Sequence, residues 1–152
     1  MRKIVGIVVL GFFVAFPALA QNAAPFERSS LVIESAKERH AFSVEVARST
    51  QQQAQGLMYR RDMAADHGML FDYNPPRRVA MWMKNTFLPL DMLFIAFDGR
   101  VARIAQRTLP QSLDMIDSAG PVRGVLELNA GTVARLGIAV GDRVVHPIFI
   151  GQ

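Results

Sequence analysis

Residues 90–109, LDMLFIAFDGRVARIAQRTL, contain the strongest hairpin signal in the chain. The segment Leu90–Phe97 is apolar apart from Asp91, which predicts a strand whose two faces are both covered. The dipeptide Asp98-Gly99 favours the tight turn of a β-hairpin, because glycine adopts the left-handed conformation without steric cost. We therefore expect residues 100–109 to return as a partner strand.

Shorter segments on both sides of this hairpin extend the same pattern. Phe42, Val44 and Val46 alternate with polar residues, as expected of a strand with one buried face. Similar runs predict further strands at residues 31–33, 68–71, 79–86, 125–128 and 143–150. The predicted fold class is mainly β: a compact antiparallel β-sandwich or partly open barrel of roughly seven to eight short strands with two short connecting helices.

The two helices are predicted in the connections. Residues 50–56 form the first, in which Thr50 and Gln53 have the spacing of a capping box. Residues 130–136 form the second, which glycine would end. Both helices are too short to build a core of their own, so they are expected to pack against the strands.

Two further connections are predicted to be irregular. The consecutive prolines at 75–76 are expected to end the strand at 68–71, because a proline nitrogen cannot donate to a strand ladder. Residues 110–123 are rich in Pro, Gly, Ser and Asp, which predicts a long loop.

The first 20 residues have the three parts of a secretory signal peptide. Arg2 and Lys3 supply the basic start, and Ile4–Phe16 is an apolar run that is short for a membrane-spanning helix. Residues 18–20, Ala-Leu-Ala, fit the cleavage pattern. Cleavage after Ala20 would leave 132 residues, since 152 − 20 = 132.

This pattern predicts the domain organisation and the location. The predicted units are a signal peptide at 1–20, a flexible lead-in at 21–29 and a single β domain at 30–152. We expect the protein to be periplasmic or secreted. The sequence contains no cysteine, which excludes disulfides, thiolate nucleophiles and cysteine-ligated metal sites.

Charge bears on the expected partners. The chain has 17 Lys and Arg against 13 Asp and Glu. Removing Arg2 and Lys3 with the signal peptide reduces the net charge from +4 to +2. The remaining basic residues form no long run, so we expect no nucleic-acid partner and no membrane insertion after cleavage. No cofactor is expected, and the sequence leaves the oligomeric state and the question of enzymatic activity open.

Residues 81–91, MWMKNTFLPLD, hold the most unusual chemistry of the chain. A lysine, an amide and a carboxylate above an aromatic ring are suited to a small polar or anionic ligand. The candidate ligand-binding residues are Trp82, Lys84, Asn85, Thr86, Asp91 and Arg60. Asp91 lies between apolar residues and is expected to be buried, so a purely structural role as a hydrogen-bond acceptor fits it equally well.

A hydrolase is the second hypothesis. Glu127 lies between Leu126 and Leu128 on a predicted strand. Together with Asp91 it would supply the two carboxyl groups of an acid–base pair. This mechanism requires the two groups to lie on the same side of the sheet and within about 10 Å of each other.

A periplasmic Cu(I)-binding protein is the third hypothesis. Thioether and imidazole ligands suit Cu(I), and the candidate ligands are His67, Met69, Met81 and Met83. Methionine is also a common filler of apolar cores, and Met81 and Met83 alternate as core residues do. The spacing alone therefore favours no metal site.

Several segments resemble the DUF192 family. They are residues 42–50, Gly56-Leu57-Met58 with Arg60, 68–71, 82–86 (WMKNT), Pro89-Leu90-Asp91, 125–128, Gly131 and Gly141-Asp142. The resemblance covers about residues 40–146. It implies a small, β-rich, sandwich-like domain that is frequently exported. The family is named for its lack of a known function, so the resemblance implies no reaction.

Overall fold

The computed structural model describes residues 25–149. The strands are β1 (Glu27–Glu34), β2 (Arg39–Ala47), β3 (His67–Met81), β4 (Leu90–Ile95), β5 (Val101–Ala105), β6 (Ile116–Asn129) and β7 (Arg143–Val145). The helices are α1 (Thr50–Gln55) and α2 (Thr132–Leu136), and a 3-10 turn follows at Pro147–Phe149. The predicted signal peptide at 1–20 lies outside the described residues.

Within the described residues the seven strands form one sheet, in the order β5-β4-β6-β3-β2-β1-β7. Neighbouring strands are antiparallel except for the parallel pair β2–β3. The sheet curls into a half-barrel, which confirms the mainly β fold class. Its two outer strands meet at one corner: Arg100 and Arg143 form a bridge, and Val144 N–H donates to Gly99 O at 2.7 Å.

The hairpin that the sequence predicts at 90–109 is present, but its strands are shorter than predicted: β4 ends at Ile95 and β5 covers Val101–Ala105. Met92 pairs with Ala105 and Leu93 with Ile104. All six residues of β4 are buried, because β4 lies between β5 and β6 and each of its faces is covered. The apolar composition of this strand follows from that position.

Side chains on the two faces of the sheet build two cores. The first core contains Leu70, Leu93 and Leu126 and is closed by residues from α2 and the 3-10 turn. The second core contains Met69, Phe71, Met81, Met83, Met92, Phe94 and Val125, together with Leu57 from the segment after α1. Successive residues of a strand point to opposite faces, so adjacent positions in β3, β4 and β6 belong to different cores.

Two predicted interruptions of the sheet were wrong. β3 continues through the prolines to Met81, where separate strands at 68–71 and 79–86 were expected. The ladder with β6 shifts register between Asp72 and Arg77, so the prolines lie in an irregularity where their missing donors are not needed. β6 begins at Ile116, inside the expected loop at 110–123, because it pairs with this extended part of β3.

The helix ends also differ from the predictions. Ser49 caps α1 and forms the reciprocal capping box with Gln52, one residue before the predicted pair of Thr50 and Gln53. Gln53 instead donates from Nε2 to Asp72 O at 2.8 Å, which fastens α1 to β3. The second helix, α2, begins at Thr132, two residues later than predicted.

The two ends of the described chain show smaller differences. β1 begins at Glu27, so residues 27–29 of the predicted lead-in at 21–29 belong to the sheet. The predicted last strand at 143–150 is shorter: β7 ends at Val145, before the 3-10 turn. A proline follows at 147, where its missing donor suits a turn better than a ladder.

Candidate functional site

A buried carboxyl group lies in the second core. Glu127, in β6, pairs with Met69 of β3 on one side and with Met92 of β4 on the other. It is 4% exposed. In the described part of the chain no protein group donates a hydrogen bond to its carboxyl group or forms an ion pair with it. Among the described residues, the fully enclosed side-chain atoms without a partner are His40 Nε2 and Arg123 Nε, so the carboxyl oxygens of Glu127 remain accessible from a neighbouring cavity.

Burial changes the acidity of this group. It raises the pKa of Glu127 from 4.5 to about 8, so the neutral carboxylic acid predominates at pH 7. The pKa of the nearby Tyr73 hydroxyl is raised to about 12 by burial and by the negative charge that Glu127 carries when ionised. Each of these groups is therefore held in its uncharged form at neutral pH.

Glu127 lines a small cavity that lies between β3, β6, α1 and the segment after β3. We call it the Glu127 cavity. The other lining residues are 53–56 at the end of α1, and Leu57, Met58, Phe71, Met81, Trp82 and Thr86. Its volume is about 30 Å³, which suits one or two water molecules or a ligand group of a few atoms. Among these lining residues Glu127 is the only one with an ionisable side chain.

The backbone after α1 brings the cavity wall close to β3. Gly56 has φ +49°, in the left-handed region that favours glycine. A Cβ atom there would lie 3.1 Å from Cζ of Phe71. The glycine thus lets Leu57 and Met58 pass over the ring of Phe71 and close one side of the cavity.

Two of the residues predicted as ligand-binding, Trp82 and Thr86, lie at this cavity. The Trp82 ring is 42% exposed, so one part of it lines the cavity and another faces solvent. Thr86 is buried, and its hydroxyl donates to Lys84 O at 3.1 Å.

The neighbouring candidates point elsewhere. Lys84 Nζ lies 5.0 Å above the Trp82 ring at the surface and does not line the cavity. Asn85 has φ +54°, and its side-chain amide donates to the hydroxyl of Tyr59 at 2.9 Å. Arg60 forms an ion pair with Glu45 and is likewise not part of the cavity lining.

Asp91 has a structural role on the opposite face of the sheet. It is 0% exposed, and its two carboxylate oxygens accept hydrogen bonds from Arg107 N–H at 2.8 Å and Val133 N–H at 2.9 Å. Val133 is in the first turn of α2, which has no side-chain cap of its own. Asp91 therefore ties the start of α2 and the segment after β5 to the sheet.

The register of the sheet rules out the acid–base pair of the hydrolase hypothesis. Asp91 pairs with Leu128, whereas Glu127 pairs with Met92. Residues that pair directly lie on the same face, and their neighbours lie on the other. The two carboxyl groups are thus separated by the sheet, and no substrate bond can lie between them.

The structure does not gather the predicted Cu(I) ligands into a free set. The sulfur of Met83 accepts a hydrogen bond from the Thr108 hydroxyl at 3.1 Å. Met81 accepts one from the Tyr73 hydroxyl at 3.4 Å. His67 Nδ1 lies 2.8 Å from a carboxylate oxygen of Asp66. Between residues 25 and 149 there is also no group of three or more His, Asp or Glu side chains that could hold a metal ion.

Part of the cavity lining was not predicted. Met58 and Phe71 carry no polar group, and they reach the cavity only because α1 and β3 fold against each other. The position of Glu127 between two leucines did indicate an inner strand. Its isolation from any donor depends on neighbours in β3 and β4 that are distant in sequence.

These features define a class of protein: a small half-barrel β domain with a neutral carboxyl group at a narrow cavity. The DUF192 family model, described as an uncharacterized ACR, matches residues 31–146. The chain belongs to the DUF192 family, as its sequence motifs predict. No curated protein matches the chain. None of the helices within residues 25–149 is both long enough and apolar enough to cross a membrane.

Two crystal structures are similar to this chain. One, from Sinorhizobium meliloti 1021, is described as a "putative transcription regulator"; it is 50% identical with a TM-score of 0.81, covering 84% of this chain and 99% of the other. The second, a protein of unknown function from Novosphingobium aromaticivorans DSM 12444, is 37% identical with a TM-score of 0.78, covering 88% and 100%. Both share the fold along nearly their whole length.

Proposed function

We propose that this chain is an exported domain that binds a small polar ligand in the Glu127 cavity. The observation that carries the proposal is the Glu127 carboxyl group, which is buried beside a cavity and has no hydrogen-bond partner within residues 25–149. A ligand group that enters the cavity would supply the missing partner.

The energetic argument concerns the cost of this carboxyl group. Burying a polar group without a hydrogen bond costs about 1–3 kcal/mol. An apolar side chain at position 127 would avoid that cost, since the paired residues Met69 and Met92 are themselves apolar. A polar group that enters the cavity, water or a ligand, recovers it, and binding a ligand would give the glutamate a role that packing alone does not.

The surface beside the cavity suits the rest of such a ligand. Trp82 connects the cavity to solvent, and Tyr59 is 64% exposed close by. The loop after β5 is fastened to the segment after β3, because Gln111 N–H donates to Thr86 O at 3.1 Å. Leu109 in this loop is exposed and adds an apolar side chain to the surface.

The geometry favours one of the two ligand classes expected from the sequence. Of the described residues, none with a cationic side chain lines the cavity, and Lys84 and Arg60 lie outside it. An anionic group would therefore meet a carboxyl group without a compensating charge. Our proposal retains the polar ligand and the residues Trp82 and Thr86, and it replaces Asp91 by Glu127.

Binding can be tested by NMR with three probes of a few atoms each: methylammonium, acetamide and acetate. We expect at least one to shift the Trp82 indole resonance and the amides of residues 125–128. Ala54→Phe would block the cavity, because Ala54 is exposed and lines it. Ala65→Phe, at an exposed residue outside the cavity lining, is the matched control. The proposal fails if no probe shifts these resonances or if both variants bind alike.

Export has a separate test. The full chain, expressed in a Gram-negative host, is expected in the periplasmic fraction with Gln21 as its first residue. Changing Ala18 and Ala20 together to Gln should leave the uncleaved precursor. Recovery of the intact chain from the cytoplasm would refute export without affecting the binding test.

A further inference from the structure

We infer that the Glu127 cavity receives a compact ammonium group of the ligand, which the Glu127 carboxylate holds by a charged hydrogen bond. This inference rests on the proposed binding function and names its ligand class. Its evidence is the charge, the remaining hydrogen-bonding capacity and the size of the cavity.

The only charge that the lining can carry is negative, and it appears when Glu127 ionises. Glu127 is the only ionisable residue among the described residues that line the cavity. A cationic ligand is therefore the only charged ligand that finds an opposite charge there. An ion pair formed in this desolvated place is stronger than one at the surface, because surrounding water does not screen it.

Two side-chain donors of the lining are already used. The Thr86 hydroxyl donates its hydrogen bond to Lys84 O, so this hydroxyl can only accept a hydrogen bond from a ligand. Gln53 uses its Nε2 group on Asp72 O at 2.8 Å. A ligand that carries hydrogen-bond donors, as an ammonium group does, fits these acceptors better than a ligand that itself needs donors.

The walls of the cavity also suit a cation. The rings of Trp82 and Phe71 carry negative faces, and the sulfurs of Met58 and Met81 are polarisable. The Trp82 ring already has one ammonium group near it, because Lys84 Nζ lies 5.0 Å from its centroid. The volume of about 30 Å³ admits only the head group, so the rest of the ligand would lie outside over Trp82.

Binding requires a proton to leave Glu127. The neutral acid and the ammonium cation combine to give a carboxylate–ammonium pair, and one proton passes to solvent. With a pKa of about 8, roughly 0.9 of the Glu127 groups are protonated at pH 7, so each binding event releases about 0.9 proton. The apparent affinity for an ammonium ion should therefore rise about ninefold from pH 6 to pH 7.

The test is an NMR titration with methylammonium, acetamide and acetate at constant ionic strength between pH 6 and pH 8. We expect methylammonium to bind best and to follow the ninefold rise. Glu127→Gln should lower its affinity at least tenfold and remove the pH dependence, while circular dichroism shows the same fold. Glu38→Gln, at an exposed glutamate, is the matched control and should bind as the wild type does.

The outcomes separate the two proposals. If acetamide or acetate binds in the cavity and methylammonium does not, the ligand class is wrong while the binding site stands. If methylammonium binds with no pH dependence, the pairing with Glu127 is wrong. A silver(I) titration that perturbs Trp82 when methylammonium does not would replace the ammonium group by a soft metal ion. If no probe enters, both proposals fail.

Discussion

Replacing Glu127 by glutamine should change how the stability of the domain depends on pH. The pKa of this group rises from 4.5 in the unfolded chain to about 8 in the folded protein, because of burial. Above pH 4.5 the unfolded chain loses the proton while the folded protein keeps it. The contribution of Glu127 to stability is thus fully present below pH 4.5 and is lost as the pH rises towards 8.

The size of the effect follows from the two pKa values. One unit of pKa difference corresponds to about 1.4 kcal/mol. Between pH 5 and pH 8 the wild type should therefore lose roughly 3–4 kcal/mol of unfolding free energy through Glu127 alone. The glutamine variant has no group to ionise at this position, so it should not show that loss.

The assay is urea unfolding of the mature domain at pH 5, 6, 7 and 8, for the wild type and Glu127→Gln. The measured quantity is the difference between their free energies of unfolding, because burial also lowers the pKa of His146 and its effect cancels in the difference. The difference should move in favour of the variant by roughly 3–4 kcal/mol between pH 5 and pH 8. Parallel profiles for the two proteins would show that Glu127 ionises normally, and Glu38→Gln should give such a parallel profile.

Other positions allow shorter tests. Asp91→Asn should cost about 2–3 kcal/mol in urea unfolding, because an amide nitrogen would face one of the two backbone donors that the carboxylate now accepts; a loss below about 0.5 kcal/mol would contradict this role. Gly56→Ala should cost about 1–2 kcal/mol, because of its positive φ and the ring beneath it, and an unchanged urea midpoint would contradict that. Ser49→Ala should lower stability by about 1 kcal/mol and Thr50→Ala by much less, since the first is the cap; equal losses would show that the cap is misplaced.

Local signals explain why much of the fold could be predicted. The apolar run of β4, the Asp98-Gly99 turn and the alternation in β2 all act between residues close in sequence. The extension of β3 through its prolines is different, because it depends on pairing with β6 about 40 residues later. The parallel pairing of β2 with β3 is equally non-local and leaves no periodic signal in either strand.

In the candidate site, too, local features could be predicted from the sequence and non-local ones could not. Trp82 and Thr86 could be identified because the residues around them are unusual in composition. Asp91 was equally visible, but whether it serves a ligand or the fold is decided by Val133, which lies in a helix far along the chain. The burial that raises the pKa of Glu127 involves methionines in two other strands. Glu127 has the more unusual environment of the two carboxyl groups, but its sequence signal was weaker than that of Asp91.

The corner where the outer strands meet has a consequence for how the chain matures. β7 pairs with β1, and residues 141–144 also bond to residues 99–101 beside β5. A chain that emerges from the ribosome amino end first cannot complete either contact until Val145 has been made. Until then β1 is paired only with β2 and the start of β5 lacks its contacts to residues 141–144, so the sheet cannot be completed before the last strand is made. In the export that we propose, this delay would leave the sheet incomplete while the chain passes through a translocation channel.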